Sequence, residues 1–75
     1  MAEEFSFKIT KELKVISTEK SGWTLELNEV SWNGREAKLD LRAWSPDHKK
    51  MGKGLTLSRE SLIALKNALN EMSFE

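Results

Sequence analysis

The sequence predicts an α+β protein in which four antiparallel strands form a curved β-meander and one C-terminal α-helix follows. Three observations indicate this fold. Apolar and polar residues alternate with a period of two in the first half of the chain. An Asn-Gly pair separates two such segments. An apolar stripe with helical spacing lies near the C-terminus. Residues 1–75 are expected to form one domain, near the lower size limit for an independent core.

The first strand is predicted over residues 5–16, where apolar side chains occupy alternate positions. The residues that share its main face are Phe5, Phe7, Ile9, Lys11, Leu13 and Val15. A period of two is typical of a half-buried strand. Residues 17–22 then have the composition of a turn.

The second strand is predicted over residues 23–32, and its apolar residues change face partway along. Val30 and Trp32 are out of phase with Leu27. Such a change predicts a bulge or a strong twist near Asn28 and Glu29, or else it leaves Trp32 pointing outward. The Asn-Gly pair that follows favours a tight turn into the next strand.

The third strand is predicted over residues 37–44, with one apolar face and one mixed face. The residues expected to point inward are Leu39, Leu41 and Ala43. Those expected to point outward are Lys38, Asp40, Arg42 and Trp44. After a basic, glycine-containing loop, Leu55 and Leu57 mark a short fourth strand.

The helix is predicted from Ser58, a favourable N-cap residue, to about Ser73. Its apolar band consists of Leu62, Ile63, Ala64, Leu65, Ala68, Leu69 and Met72. One helix can cover only one face of a four-stranded sheet. A band this wide therefore predicts that a second copy of the chain buries part of it, as a two-fold homodimer.

Charge is segregated along a chain whose net charge is zero, from 12 Lys and Arg against 12 Asp and Glu. Residues 1–31 have four basic and six acidic residues (−2), residues 32–54 have six and three (+3), and residues 55–75 have two and three (−1). Zero net charge argues against strong non-specific binding to polyanions, which depends on phosphate neutralisation. The basic middle third nevertheless predicts a local cationic surface.

Several function classes are disfavoured by what the chain lacks. It has no cysteine, so neither a disulfide nor a Cys-ligated metal is expected. No apolar run approaches the roughly 18 residues of a membrane span, and no signal-peptide pattern opens the chain. These features favour a cytoplasmic protein that does not associate with membranes, with association to the nucleoid as an option.

Enzymatic chemistry is also poorly supported. His48 is the only histidine and is expected to be an exposed turn residue, so a zinc site lacks its usual ligands. Gly52-Lys53-Gly54 lacks the spacing, the Ser or Thr and the following helix of a phosphate-binding loop. We therefore expect no enzyme activity, no metal, no cofactor and no small-molecule substrate.

The outward residues Lys38, Arg42 and Trp44, together with Trp32, favour a different function. Single-stranded nucleic acid is bound by cations along its phosphates and by aromatic faces on which unpaired bases stack. Three lysines of the following loop could extend the cationic surface: Lys49, Lys50 and Lys53. The alternative is that both tryptophans are core residues and that the loop is a solvated turn.

The residues Asp40-Leu41-Arg42, an aromatic soon after, and Lys53-Gly54-Leu55-Thr56-Leu57 before an amphipathic helix resemble the positive cofactor four family of transcriptional coactivators. The segment from Val30 to Gly54 is more similar still to its short bacterial branch, the YdbC-like proteins. The resemblance covers residues 5–72. It implies four antiparallel strands and a helix, dimerised so that strand ridges form a channel for single-stranded DNA.

The resemblance also implies roles for individual residues. Arg42 and Lys53 match positions that contact the DNA backbone, while Trp44 and Trp32 match positions that stack bases. Lys38 corresponds more weakly, through its face of the strand. The loop is shorter than in the eukaryotic proteins, which leaves the contacts of Lys49 and Lys50 open, and the Ser-rich tail of those proteins is missing.

The function expected from the sequence is sequence-tolerant binding of single-stranded DNA by a homodimer, in transcription regulation or DNA maintenance. Two alternatives stay open. RNA is one, because stacking and phosphate contacts do not distinguish the sugars. The other is a structural or protein-interaction dimer without a nucleic-acid ligand, which the zero net charge favours.

Overall fold

The computed structural model describes residues 6–74 and shows four strands followed by one helix. Their bounds are β1 Phe7–Thr18, β2 Thr24–Trp32, β3 Lys38–Trp44, β4 Met51–Leu57 and α1 Arg59–Glu71. The strands form one sheet in the order β1-β2-β3-β4, and all neighbours are antiparallel. The predicted meander with a C-terminal helix is confirmed. β4 starts earlier than predicted, and Phe5 lies outside the described residues.

The turn between β2 and β3 follows from the Asn-Gly pair. Asn33 and Gly34 have φ angles of 51° and 75°, which are left-handed values that Gly and Asn adopt most readily. The backbone N–H of Arg35 donates to the carbonyl of Trp32 at 2.9 Å and closes the turn. The predicted tight turn is confirmed.

β1 carries more residues than the strand beside it. It has 12 residues against 9 in β2, and their pairing shifts register between Ile9 and Lys11, Glu12 and Lys14, and Val15 and Ser17. Each extra residue bends a strand and increases its twist. The prediction of one continuous apolar face along β1 is therefore wrong, and Leu13 and Val15 are 38% and 51% exposed.

β2 runs without interruption along β3, since their pairing is regular from Thr24 to Val30. The predicted bulge within β2 is therefore wrong, because the irregularities lie in β1 instead, whereas the predicted strong twist near Asn28 and Glu29 agrees with β1 bulges that lie opposite these residues. Strand alternation places Trp32 on the face opposite Leu27, but that face is the core of the chain and Trp32 is half-buried there.

The two faces of the sheet differ in chemistry. We call one the tryptophan face; it carries Glu26, Asn28, Val30, Trp32, Lys38, Asp40, Arg42, Trp44, Gly54 and Thr56. We call the other the leucine face; it carries Leu25, Leu27, Leu39, Leu41, Leu55 and Leu57. Buried positions among these residues all lie on the tryptophan face: Val30, Trp44 and Asp40 at 0% exposure, Asn28 at 1% and Glu26 at 4%.

The residues of β3 that were predicted to point inward are not the ones that a single chain buries, so this prediction is wrong. The alternation itself is correct, but Asp40 and Trp44 are buried while Leu39 and Leu41 are only half-buried. The side that was expected to face solvent forms the core of the chain.

Strong curvature of the sheet explains this inversion. Trp32 pairs with Phe7 at one end of β2, whereas Trp44 pairs with Thr24 at the other end. Eight residues of flat strand would separate these ends by roughly 26 Å. Yet the Phe7 ring lies 6.1 Å from that of Trp32 and 5.2 Å from that of Trp44. The sheet coils around its tryptophan face, as the three bulges of β1 allow.

The helix begins after Ser58, whose hydroxyl accepts a hydrogen bond from the backbone N–H of Ser61 at 3.0 Å, as the predicted N-cap requires. No residue of α1 is fully buried by the rest of residues 6–74. The exposed apolar residues of the helix include Ile63, Leu65, Leu69 and Met72, at 39–56% exposure. A groove of about 850 Å³ between helix and leucine face is lined by both apolar and charged residues, which include Leu39, Leu57, Leu62, Lys11, Glu29 and Lys38.

Within residues 6–74, no helix has the length and apolar character needed to cross a membrane.

Candidate nucleic-acid interface

Four rings from three parts of the chain form what we call the aromatic cluster: Phe7, Trp32, Trp44 and His48. Phe7, at the start of β1, contacts both tryptophans at centroid distances of 6.1 and 5.2 Å. His48, in the loop after β3, stacks on Trp44 at 5.8 Å with an interplanar angle of 28°. Trp44 is fully buried between its neighbours, whereas Phe7, Trp32 and His48 are half-buried.

Arg42 lies beside this cluster and is held in one orientation. Its Nε donates to both carboxylate oxygens of Asp40 at 3.1 and 3.3 Å, and Nη2 donates to Oδ2 at 3.1 Å. Nη1 donates to the carbonyl of Gly52 at 3.2 Å. Its Cζ lies 5.0 Å from the centroid of the Trp32 ring, within the range of a cation–π interaction. One N–H on each terminal nitrogen remains for a further acceptor, because a guanidinium has five N–H groups.

Gly54 makes room for this arrangement. It lies opposite Arg42 in the β3–β4 ladder. A Cβ at Gly54 would lie 2.5 Å from the carbonyl oxygen of Leu41 and 2.6 Å from the Cβ of Arg42. The glycine of the Lys-Gly pair thus lets the Arg42 side chain cross β4.

A buried carboxylate lies on the same face as Arg42. Thr24, Asn28 and His48 surround Glu26: the Thr24 hydroxyl bonds to Oε2, the Asn28 amide donates to Oε1 at 3.0 Å, and His48 Nε2 lies 2.8 Å from Oε2. Burial raises the pKa of Glu26, but hydrogen bonds from Asn28, Thr24 and His48 more than offset it and hold the pKa below its ordinary value.

The predicted lysines lie at the margins of the tryptophan face. Lys49 and Lys50 are exposed in the loop next to His48, and Lys38 is exposed at the start of β3. Lys53 is exposed in the irregular part of the β3–β4 ladder, where Gly54 rather than Lys53 lies opposite Arg42. Within residues 6–74 none of these four ammonium groups forms a salt bridge.

The structure brings Trp32, Arg42 and Trp44 together around Phe7. Their roles in binding stay predictions, and full burial of Trp44 differs from its expected outward position, since Phe7 and His48 cover its ring. The expectation that His48 is simply an exposed turn residue is wrong, because its ring is stacked and paired with Glu26. Sequence reasoning missed His48, and Phe7 was recognised only as a strand residue.

No group of three or more His, Cys, Asp or Glu residues in the described part of the chain could hold a metal ion. What this surface offers is hydrogen-bond donors with cationic charge next to aromatic rings. Such a surface on an antiparallel sheet is typical of proteins that bind single-stranded nucleic acids. The fold and this surface are typical of small sheet proteins that bind nucleic acids.

Comparisons with known proteins agree with this class. The family model described as Transcriptional Coactivator p15 (PC4) matches residues 19–68, which span β2, β3, β4 and most of α1. A protein of Treponema pallidum (strain Nichols), described only as an uncharacterized protein, is 49% identical over 73 residues, covering 97% of this chain and 86% of the relative. The chain belongs to the transcriptional coactivator p15 (PC4) family, which is a nucleic-acid-binding family, and it has a short bacterial relative.

Proposed function

We propose that the protein binds single-stranded DNA without strong sequence preference, as a homodimer, and acts in transcription regulation or DNA maintenance. The observation that carries this proposal is the oriented guanidinium of Arg42, held by Asp40 and Gly52 beside the aromatic cluster. A guanidinium fixed in this way has little conformational entropy to lose when it contacts a phosphate. The rings beside it offer faces for unpaired bases.

The cationic part of the interface consists of Lys38, Lys49, Lys50, Lys53 and Arg42. Asp40 neutralises much of the charge of Arg42, so the long-range attraction for phosphates comes from the lysines. Arg42 acts instead through directed hydrogen bonds. This division reconciles a zero net charge with a polyanionic ligand. DNA as ligand also supports a cytoplasmic protein that associates with the nucleoid.

A second copy of the chain is part of the proposal. The helix exposes Leu65 and Leu69 at 39% and 45%, and the groove beside the leucine face adds apolar residues such as Leu57 and Leu62. Apolar side chains so arranged gain about 25 cal/mol for every Å² removed from water. A two-fold dimer that pairs the apolar residues of the helix leaves Arg42 and the aromatic cluster, on the other face of the sheet, free for DNA.

The direct test is fluorescence anisotropy of labelled oligo-dT titrated with the full chain, compared with a duplex and with a matched RNA. We expect binding to oligo-dT at low salt, weaker binding to the duplex, and an affinity that falls with salt at a log–log slope of about −0.7 for each neutralised phosphate. RNA that binds more tightly than DNA would reassign the ligand. No binding to any strand at low salt would contradict the proposal and favour a structural dimer.

Lysine variants sharpen this test. Lys49→Ala and Lys50→Ala should each reduce the salt slope by about 0.7 if their ammonium groups neutralise a phosphate. Lys66→Ala is the control, because Lys66 is also an exposed lysine but lies on α1 rather than beside the loop between β3 and β4. Equal effects of all three substitutions would show that the ligand responds only to total charge.

A further inference from the structure

His48 occupies an unusual backbone conformation that places its ring on Trp44. Its φ angle is 59°, which is left-handed and disfavoured for a residue with a Cβ. Asn, Asp and His tolerate such values better than other residues do. In this conformation the imidazole stacks on Trp44 at 5.8 Å and Nε2 lies 2.8 Å from Glu26. Two contacts of different kinds thus fix the plane of the ring.

The loop that carries His48 is held in shape by its own hydrogen bonds. The backbone N–H of His48 donates to the carbonyl of Ser45 at 2.9 Å, and that of Lys50 donates to the Ser45 hydroxyl at 3.0 Å. The backbone N–H of Lys49 and the hydroxyl of Ser45 donate to Asp47 and hold the pKa of that carboxyl below its ordinary value. The position of His48 is therefore set before any ligand arrives.

Exposure distinguishes the two stacked rings. The Trp44 side chain is fully buried, whereas 36% of the His48 side chain is exposed. The imidazole packs on Trp44 in an offset stack, and its exposed part borders an open depression that Glu12, Lys14 and Glu26 also line. A base could reach Trp44 only if Phe7 or His48 moved away, and movement of His48 would remove a hydrogen-bond partner from the buried carboxylate of Glu26.

From these observations we infer that His48 is a base-stacking residue of the interface, and that Trp44 supports its ring from beneath. An unpaired base stacks on the outer face of the imidazole, and Glu26 orients the ring through Nε2. Lys49 and Lys50, which follow His48 directly, are then close to the phosphates of that nucleotide. This inference rests on the proposed binding of single-stranded DNA.

Two substitutions at His48 distinguish the contribution of its aromatic ring from that of its left-handed backbone conformation. His48→Asn tolerates the left-handed conformation but has no ring, whereas His48→Tyr keeps an aromatic face. We expect His48→Asn to weaken oligo-dT binding by about 5- to 150-fold, which corresponds to the loss of one stacked base. His48→Tyr should bind more tightly than His48→Asn, because it keeps an aromatic face, and less tightly than the wild type, because it loses the Nε2 contact with Glu26 and tolerates a φ of 59° less well. Urea unfolding of each variant shows whether the fold is retained.

A second measurement needs no substitution at His48. The chain has 1 histidine, so its imidazole resonances in a proton NMR spectrum are unambiguous. Oligo-dT should shift these resonances in proportion to the bound fraction, and a duplex should shift them much less. In the free protein they should be displaced by the ring current of Trp44, and Trp44→Leu should abolish this displacement, which identifies the supporting role of Trp44.

The outcomes separate this inference from the proposed function. Suppose the wild type binds oligo-dT, His48→Asn binds equally well and the imidazole resonances do not move. The stacking role of His48 is then overturned, while single-stranded DNA binding stands. If the wild type does not bind oligo-dT at low salt, both are overturned.

Discussion

The two faces of the sheet differ in their chemistry and in how much of their surface a single chain buries. The tryptophan face has carboxylates, an amide and a guanidinium among its rings, yet Asp40, Asn28 and Glu26 are buried in one chain and hydrogen-bonded. The leucine face is apolar, yet its residues are half-buried or exposed. Hydrophobicity alone would have predicted the reverse.

The difference shows which face is complete within one chain. Curvature from the bulges of β1 closes the sheet on its tryptophan face, so Glu26, Asn28, Asp40 and Arg42 find hydrogen-bond partners there. The indole N–H of Trp44 is buried on the same face without an acceptor among the described residues. The leucine face lies on the outside of that curve, and the helix leaves it largely uncovered. We therefore expect substitutions on the leucine face to act on assembly, and substitutions on the tryptophan face to act on the stability of the chain and on its ligand.

The largest effect should come from a charge placed in the apolar surface of the helix. Leu69→Glu removes an apolar contact of about 1.5–3 kcal/mol from each subunit, and two-fold symmetry doubles this loss. The dissociation constant of the dimer should rise by at least about a hundredfold. Sedimentation equilibrium over a range of protein concentrations measures this change.

Asn67→Glu provides the control, because two residues correspond to about 200° around a helix and place the new charge on the opposite side. Leu69 is 45% exposed in one chain, and Asn67 is exposed as well. The two substitutions should therefore differ in effect only if the chain forms a dimer through the apolar surface of the helix. If both variants, and the wild type, sediment as monomers, the leucine face is not an interface between copies.

The next effect concerns the tryptophan face. Gly54→Ala places a methyl group against the Leu41 carbonyl and the Arg42 side chain, so either the β3–β4 ladder or Arg42 must shift. Overpacking of this kind costs about 3 kcal/mol of unfolding free energy. Oligo-dT affinity should fall too, because Arg42 loses its orientation. Urea unfolding and anisotropy titration measure the two losses.

Gly34→Ala is the matched control for Gly54→Ala. Gly34 has a φ of 75° and open space around its Cα, so alanine there is strained but meets no neighbour. We expect a loss of about 1–2 kcal/mol with DNA binding retained. If Gly54→Ala costs no more stability than Gly34→Ala and leaves the affinity for oligo-dT unchanged, then the orientation of Arg42 does not depend on Gly54.

Much of the fold could be predicted because its signals are local. Alternation defined the strands, the Asn-Gly pair defined a turn, and the spacing of Leu62, Leu65 and Leu69 defined the helix face. Curvature could not be predicted, because it depends on which residues of β1 are left out of the pairing with β2. That register is a tertiary property, and it decides which face becomes the core.

The candidate site could also be predicted only in part from the sequence. Strand parity was enough to place Arg42 and Trp44 on one face, but it did not show that coiling brings Trp32 to them. His48 had no sequence signal, because left-handed positions are usually recognised by Gly, Asn or Asp. Its contact with Glu26 joins residues 22 positions apart, which no local pattern reports.

The smallest predicted effect is on the acid stability of the chain, and it is tested by comparing two carboxylates that lie on opposite faces of β2. Hydrogen bonds hold the pKa of Glu26 below its ordinary value of 4.5. A lowered folded-state pKa means that the stabilising contribution of Glu26 is complete above about pH 4.5 and is lost as the pH falls through the folded-state pKa. Glu26→Gln should therefore flatten the acid limb of the curve of unfolding free energy against pH. At neutral pH it should cost about 1 kcal/mol, the typical net contribution of one hydrogen bond.

Glu29→Gln is the control for this comparison, since Glu29 lies three positions along the same strand on the leucine side. Both substitutions remove one carboxylate, so any difference between them reports the surroundings rather than the charge. Urea midpoints measured from pH 3 to pH 7 would show it. Equal flattening in both variants would contradict a special contribution from Glu26. Flattening in Glu26→Gln alone would identify the paired carboxylate beneath His48 as the acid-sensitive part of the tryptophan face.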